Sequence, residues 1–165
     1  MPPDATPEPE LPSIEVDRTL AFARPETQKG YTYWKSCCGT RSMPARADIS
    51  PAGMREFIQH VGLLDWSEQD GKTEFHIRLA GARIEQLIGA ASGKRLHDIA
   101  PPVVLKRWNM IYRLVCDERR PFRFSSRMTA LGKDYLASEV LVAPLSDDGK
   151  TVSMLFGVLV AWPVF

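Results

Sequence analysis

A chain of 165 residues has room for one domain with a real core plus an arm, not for two domains. Its 44% apolar and 25% charged residues are ordinary for a globular protein, and a formal net charge of +1 gives no field for nucleic acid or an anionic membrane. Cys37, Cys38 and Cys116 lack paired spacing, so the expectation is free thiols in the cytoplasm and no metal site.

The opening "MPPDATPEPELP" is proline-rich and acidic, with little to bury. Such a segment cannot offset its ordering entropy, and residues 1–25 are expected to form a disordered or mobile tail. It has neither the basic nor the apolar region of a secretory signal.

Residues 26–38 have the spacing of a helix, with Tyr31, Trp34 and Cys38 along one face and Gly39 as its stop. That face needs cover, so Tyr31, Trp34 and Cys38 are expected either to pack on the sheet or to contact a partner or a second copy. "DISPAGMREFI" starts a second short helix, with Ser50 as its cap and Pro51 at its first position. Together these make an N-terminal helical arm over 26–60.

The period then changes. "VGLLDWSE" (61–68) is strand-like, Asp70-Gly71 marks a hairpin turn, and "EFHIRLAG" alternates. Phe75, Ile77 and Leu79 fall on one face and His76 and Arg78 on the other.

"RLAGARIEQLIGAASGKRLHDI" (78–99) brings glycines and a Gly-Lys pair. A phosphate loop needs four residues between its glycines and then Lys-Ser/Thr. Gly89 and Gly93 enclose three, and Arg95 follows Lys94, so these glycines are assigned to a helix end and a turn.

Residues 101–118 form the longest helix. Val104, Trp108, Ile111, Tyr112 and Val115 make an apolar stripe, while Lys106, Arg107, Arg113 and Asp117 are expected to face away. Three strands follow: "FRFSSRMTA", "YLASEVLVAPL" and "VSMLFGVLVAW". The last is nearly all apolar, which places it mid-sheet, and it is too short for a membrane span. Strand runs around one helical block imply an α+β fold with an antiparallel sheet.

This order, with Ile88-Gly89 through Gly93-Lys94 at its middle, resembles the PAS domain. Tyr33-Trp34, "MPARADISP" (43–51), "RLAG" (78–81) and Pro144-Leu145 are similar to a compact stand-alone bacterial PAS subfamily. The resemblance covers about residues 31–162 and assigns 61–165 to the PAS-like domain. It implies a five-stranded antiparallel sheet in the order 2-1-5-4-3, with a helical connector on one face. It also implies a small-ligand space between sheet and long helix in many members, and protein contacts in others. Val103–Glu118 holds no histidine, and the connector holds no cysteine, so haem and covalent flavin are disfavoured and the cofactor is left unknown.

The resulting expectation is a sensory or regulatory module for signal transduction, without catalytic residues. The candidate wall of an apolar ligand pocket is Ile77, Leu79, Trp108, Ile111, Tyr112, Phe124 and Met128, with Ser126, Arg127 and Ser138 as polar neighbours. The last strand runs to the chain's end at Phe165, so action through a protein partner in trans is expected, with a homodimer and no nucleic acid or membrane contact. The alternative is a small cone-shaped α+β enzyme or lipophilic carrier, similar to a steroid isomerase. It would need Asp65 or Glu139 directed into the pocket.

Overall fold

A computed structural model describes residues 13–164. It begins with a short strand, β1 (Glu15–Asp17), followed by a turn that Asp17 holds by accepting from Thr19 N (2.7 Å) and Ala21 N (2.9 Å). Helix α1 (Pro25–Cys38) has Pro25 at its first turn and ends at Gly39, whose φ of 60° suits glycine. Three single 3₁₀ turns follow, Arg46–Asp48, Pro51–Met54 and Ile58–His60. The second helix expected here is therefore replaced by tighter turns. Tyr33 packs directly over Gly53, where a Cβ would lie 2.3 Å from its ring, and the tyrosine hydroxyl accepts from Ser50 N at 2.8 Å.

Strands β2 (Val61–Gln69) and β3 (Lys72–Ala80) form the expected hairpin, with Asp70 and Gly71 both at positive φ. Helices α2 (Ala82–Ile88), α3 (Leu96–Ile99) and α4 (Pro102–Glu118) lead to β4 (Phe122–Met128), β5 (Lys133–Leu145) and β6 (Met154–Pro163). The sheet is antiparallel throughout, in the order β1-β4-β5-β6-β2-β3. Counted from β2, this is 2-1-5-4-3 with β6 in the middle. The addition is a sixth strand: β1 pairs with β4, Val16 opposite Phe124. Positions 13–24 of the expected tail thus belong to the fold, and residues 1–12 lie outside the described residues.

Both faces of the sheet are covered. Leu64, Phe75, Ile77, Phe122, Phe124, Val142 and Leu155 pack with Ile111 and Val115 of α4. Leu63, Leu141, Ala143, Phe156 and Val158 pack with Trp34 and Cys38 of α1. Double coverage explains why β5 and β6 are apolar at successive positions, not only at alternate ones. At Gly30 the helix comes so close that a Cβ would stand 2.6 Å from Val158 Cγ2.

Trp34 and Cys38 are 2% and 1% exposed, and Trp34 Nε1 donates to Pro144 O at 2.9 Å. The chain's own sheet therefore supplies the cover for Trp34 and Cys38, the first of the two arrangements expected for this face, where a partner or second copy was the other. Only Tyr31 of the three is half-buried.

Candidate functional site

Between the sheet and α4 lies a cavity of about 160 Å³. It is close to the engineered apolar cavity of about 150 Å³ that admits benzene. Ile77, Leu79, Trp108, Ile111, Tyr112, Phe124 and Met128 all line it, as do Ser126, Arg127 and Ser138. The helical spacing of α4 and the alternation of β3 and β4 bring these distant positions to one wall.

Leu79 departs from its expected place. Leu63 pairs with Leu79 while Leu64 pairs with Ile77, so Arg78 is an extra residue in β3. This bulge breaks the alternation, burying Ala80 and leaving Leu79 39% exposed at the cavity's rim.

Arg107 also departs from the helical-wheel reading. It lines the cavity instead of facing away, half-buried beside Trp108, and loss of water contact lowers its pKa from the ordinary guanidinium value. Burial raises the Tyr112 phenol well above its ordinary value, so this hydroxyl stays protonated, and its ring packs on Phe75 with centroids 5.2 Å apart. Ser126 and Ser138 face each other across β4 and β5, with Ser138 Oγ donating to Ser126 O at 3.2 Å. Arg127 lies on an exposed position of β4 and donates from Nη1 to Asp134 O at 3.2 Å.

Ile14, just before β1, completes the wall from the far edge. Nothing in the sequence marked it, because a single isoleucine in a polar segment has no period. Lys133 Nζ donates to Leu87 O at 2.8 Å, tying the start of β5 to the end of α2.

The glycine-rich connector has its backbone amides engaged within the fold. Gly93 N donates to Ile77 O (2.7 Å) and Ile77 N to Lys94 O (2.8 Å), so the Gly-Lys segment extends the edge of β3. Gly89 N donates to Glu85 O, and Ala91 N to the Glu85 carboxylate at 2.7 Å. These amides hold chain where a phosphate loop would hold phosphate.

Charged groups clasp that edge from outside. Glu74 lies 2.7 Å from His97 Nδ1, 3.5 Å from His76 Nε2 and 3.6 Å from Arg95 Nη1. Asp65 pairs with Arg78 and stands 3.8 Å from His76 Nδ1. His76 thus has a cross-strand role on the polar face.

Glu139 is fully buried, but it belongs to the α1 side of the sheet. It accepts from Ala23 N, Arg24 N, Thr27 Oγ1 and Arg123 Nε. Neither Asp65 nor Glu139 lines the cavity, and no carboxylate or histidine does among the described residues. The inward acid or base that a cone-shaped enzyme needs is not supplied by either candidate.

The Cys116 thiol is pushed up to about 12, chiefly by burial, and all three cysteines are free. Among the described residues no group of metal-ligating side chains is assembled, and no helix is long and apolar enough to cross a membrane.

Comparison with known proteins yields one family. The model of the PAS domain matches residues 22–160, most of the chain. No curated protein matches it.

Proposed function

The chain belongs to the PAS domain family, and from that premise we propose that it acts by binding: a small apolar ligand in the cavity alters its contact with a protein partner. PAS domains are generally sensory or regulatory modules, and they commonly mediate protein interactions. The observation that carries the ligand half is the cavity itself. A space of about 160 Å³, walled by Ile77, Trp108, Ile111, Phe124 and Met128, is a size and polarity that favour an apolar guest over water.

For the partner half, the docking face lies on the outward side of the arm, since the sheet, which was the other expected surface, is covered on both sides. Homodimerisation belongs to the same reading. It would use the outward side of α1 around Tyr31, since Trp34 and Cys38 are enclosed. The reading includes no catalysis, no nucleic acid and a cytoplasmic location.

Native mass spectrometry of the purified chain tests this directly. A bound small molecule released on denaturation supports the ligand half, and a dimer mass supports self-association. Turnover of a small molecule would favour the enzyme alternative, and salt-sensitive DNA binding without a protein partner would overturn the partner half.

A further inference from the structure

We propose that the cavity's ligand is a neutral carbonyl compound, an apolar ring or short chain bearing one ketone or ester oxygen, and that the Tyr112 hydroxyl donates to that oxygen. The inference rests on reading the cavity as a ligand site and adds the polar group that its ligand carries. Tyr112 lines the wall one turn after Trp108, on the same face of α4. Among the described residues nothing bonds its hydroxyl, and its contact with Phe75 is made by the ring. Neighbouring groups shield it from bulk water strongly enough to raise its pKa, yet the oxygen is not one of the polar atoms sealed away without a partner. The open space that it meets is therefore the cavity.

A phenol that stays protonated is a hydrogen-bond donor, and a buried donor without a partner is costly, so the site favours a guest that brings an acceptor. The serine hydroxyls of the wall already donate to main chain, Ser138 Oγ to Ser126 O at 3.2 Å and Ser126 Oγ to Arg127 O at 3.4 Å. Arg107 has an interaction partner of its own. A carboxylate would bring a full charge out of water, and an alcohol would bring a donor that an apolar wall must match. A ketone or ester brings an acceptor alone. Its apolar remainder fits a space close to one that admits benzene.

The experiment titrates the full chain with acetophenone and with isopropenylbenzene, which has the same shape and a methylene in place of the oxygen. Tyr112→Phe is expected to weaken acetophenone binding about three- to tenfold while leaving isopropenylbenzene unchanged. The substitution removes a hydroxyl without a partner and keeps the ring on Phe75, so the thermal midpoint should not fall. Infrared spectroscopy gives a second reading. The carbonyl band of bound acetophenone should lie below its position in hydrocarbon solvent and return towards it in Tyr112→Phe. Equal effects of the substitution on both probes, or a band that it does not move, would overturn the role of Tyr112. A band at the hydrocarbon position in the unaltered chain, or binding of isopropenylbenzene alone, would overturn the bonded carbonyl and leave the apolar cavity as a ligand site. That outcome can be read even where Tyr112→Phe does not fold. Binding of neither probe would overturn the ligand reading itself.

Discussion

Arg123 Nε stands 2.6 Å from Glu139 Oε2 across β4 and β5, and the glutamate is fully buried. The same carboxylate accepts from the Ala23 and Arg24 amides at 2.8 and 3.1 Å, just before the first turn of α1. One side chain therefore joins two strands and the α1 segment, and its negative charge suits the positive end of that helix. Removing it would leave Arg123 enclosed without its nearest counter-charge. Glu139→Ala is expected to cost about 3–5 kcal/mol, read from the urea midpoint. Glu139→Gln, which keeps part of the hydrogen bonding, should cost less.

Acid stability follows from the same group. Burial by itself would raise Glu139, but its bonds to Thr27, Ala23 N and Arg123 outweigh that and hold it below the ordinary 4.5. Asp148 is held at about 2 by the Thr151 and Lys150 amides and the Ser146 hydroxyl. For a carboxylate lowered on folding, the stabilisation is complete above its unfolded value and is lost as pH falls through the folded one. Stability is expected to decline below about pH 4.5. A shallower decline in Glu139→Gln, followed by circular dichroism, would assign the effect to that residue; an unchanged profile would not.

The β1 segment closes one edge of the cavity through Ile14, yet it pairs with β4 over only three positions. Glu15 and Asp17 add ion pairs to Arg123 at 3.7 and 3.8 Å. Because Ile14 is half-buried, Ile14→Ala is expected to cost about 1–2 kcal/mol, less than full truncation in a core. The same variant should increase binding of a hydrophobic dye, since the cavity gains an opening. Unchanged dye binding would show that Ile14 does not close it.

Trp108 lies in the apolar stripe of α4 but is only partly buried, with one side on empty space. Trp108→Ala is therefore expected to cost about 2–3 kcal/mol, below the range for an enclosed aromatic. The denaturation midpoint checks it. A cost at the full enclosed-core value would mean that the cavity collapses around the ring in solution.

What the sequence made legible was whatever repeats. The alternation of Phe75 and Ile77, the stripe from Val104 to Val115 and the Asp70-Gly71 turn each impose a local geometry that the structure retains. Those periods also brought the wall positions other than Leu79 together. Features that break a period were hidden. The extra residue in β3 displaces Leu79, and the curved wall takes in Arg107, which a simple wheel turns outward. β1 has three residues, two of them acidic, and is held by pairing with a distant strand, so no local pattern announced it. The apolar face of α1 was visible, but its cover by β5 and β6 is a tertiary fact.

That cover makes the last expectation specific. Trp34 and Cys38 sit on Leu141, Ala143, Phe156 and Val158, each of which is fully buried in the intact chain. Deleting residues 1–40 would remove α1 and expose these central strands over a contiguous apolar area, the kind of surface that drives association. It would also strip Glu139 of its Thr27, Ala23 and Arg24 donors, leaving a partly satisfied carboxylate beside newly exposed leucine. The truncated protein is expected to aggregate or form higher oligomers, seen as increased light scattering at concentrations where the intact chain is clear. A milder variant separates packing from folding: Gly30→Leu places a side chain where Val158 Cγ2 already lies within 2.6 Å of a Cβ position. It should lower the melting midpoint without removing any hydrogen-bond donor. If the truncated chain stayed monomeric and as stable as the intact one, α1 would be an accessory to the sheet and not part of its core.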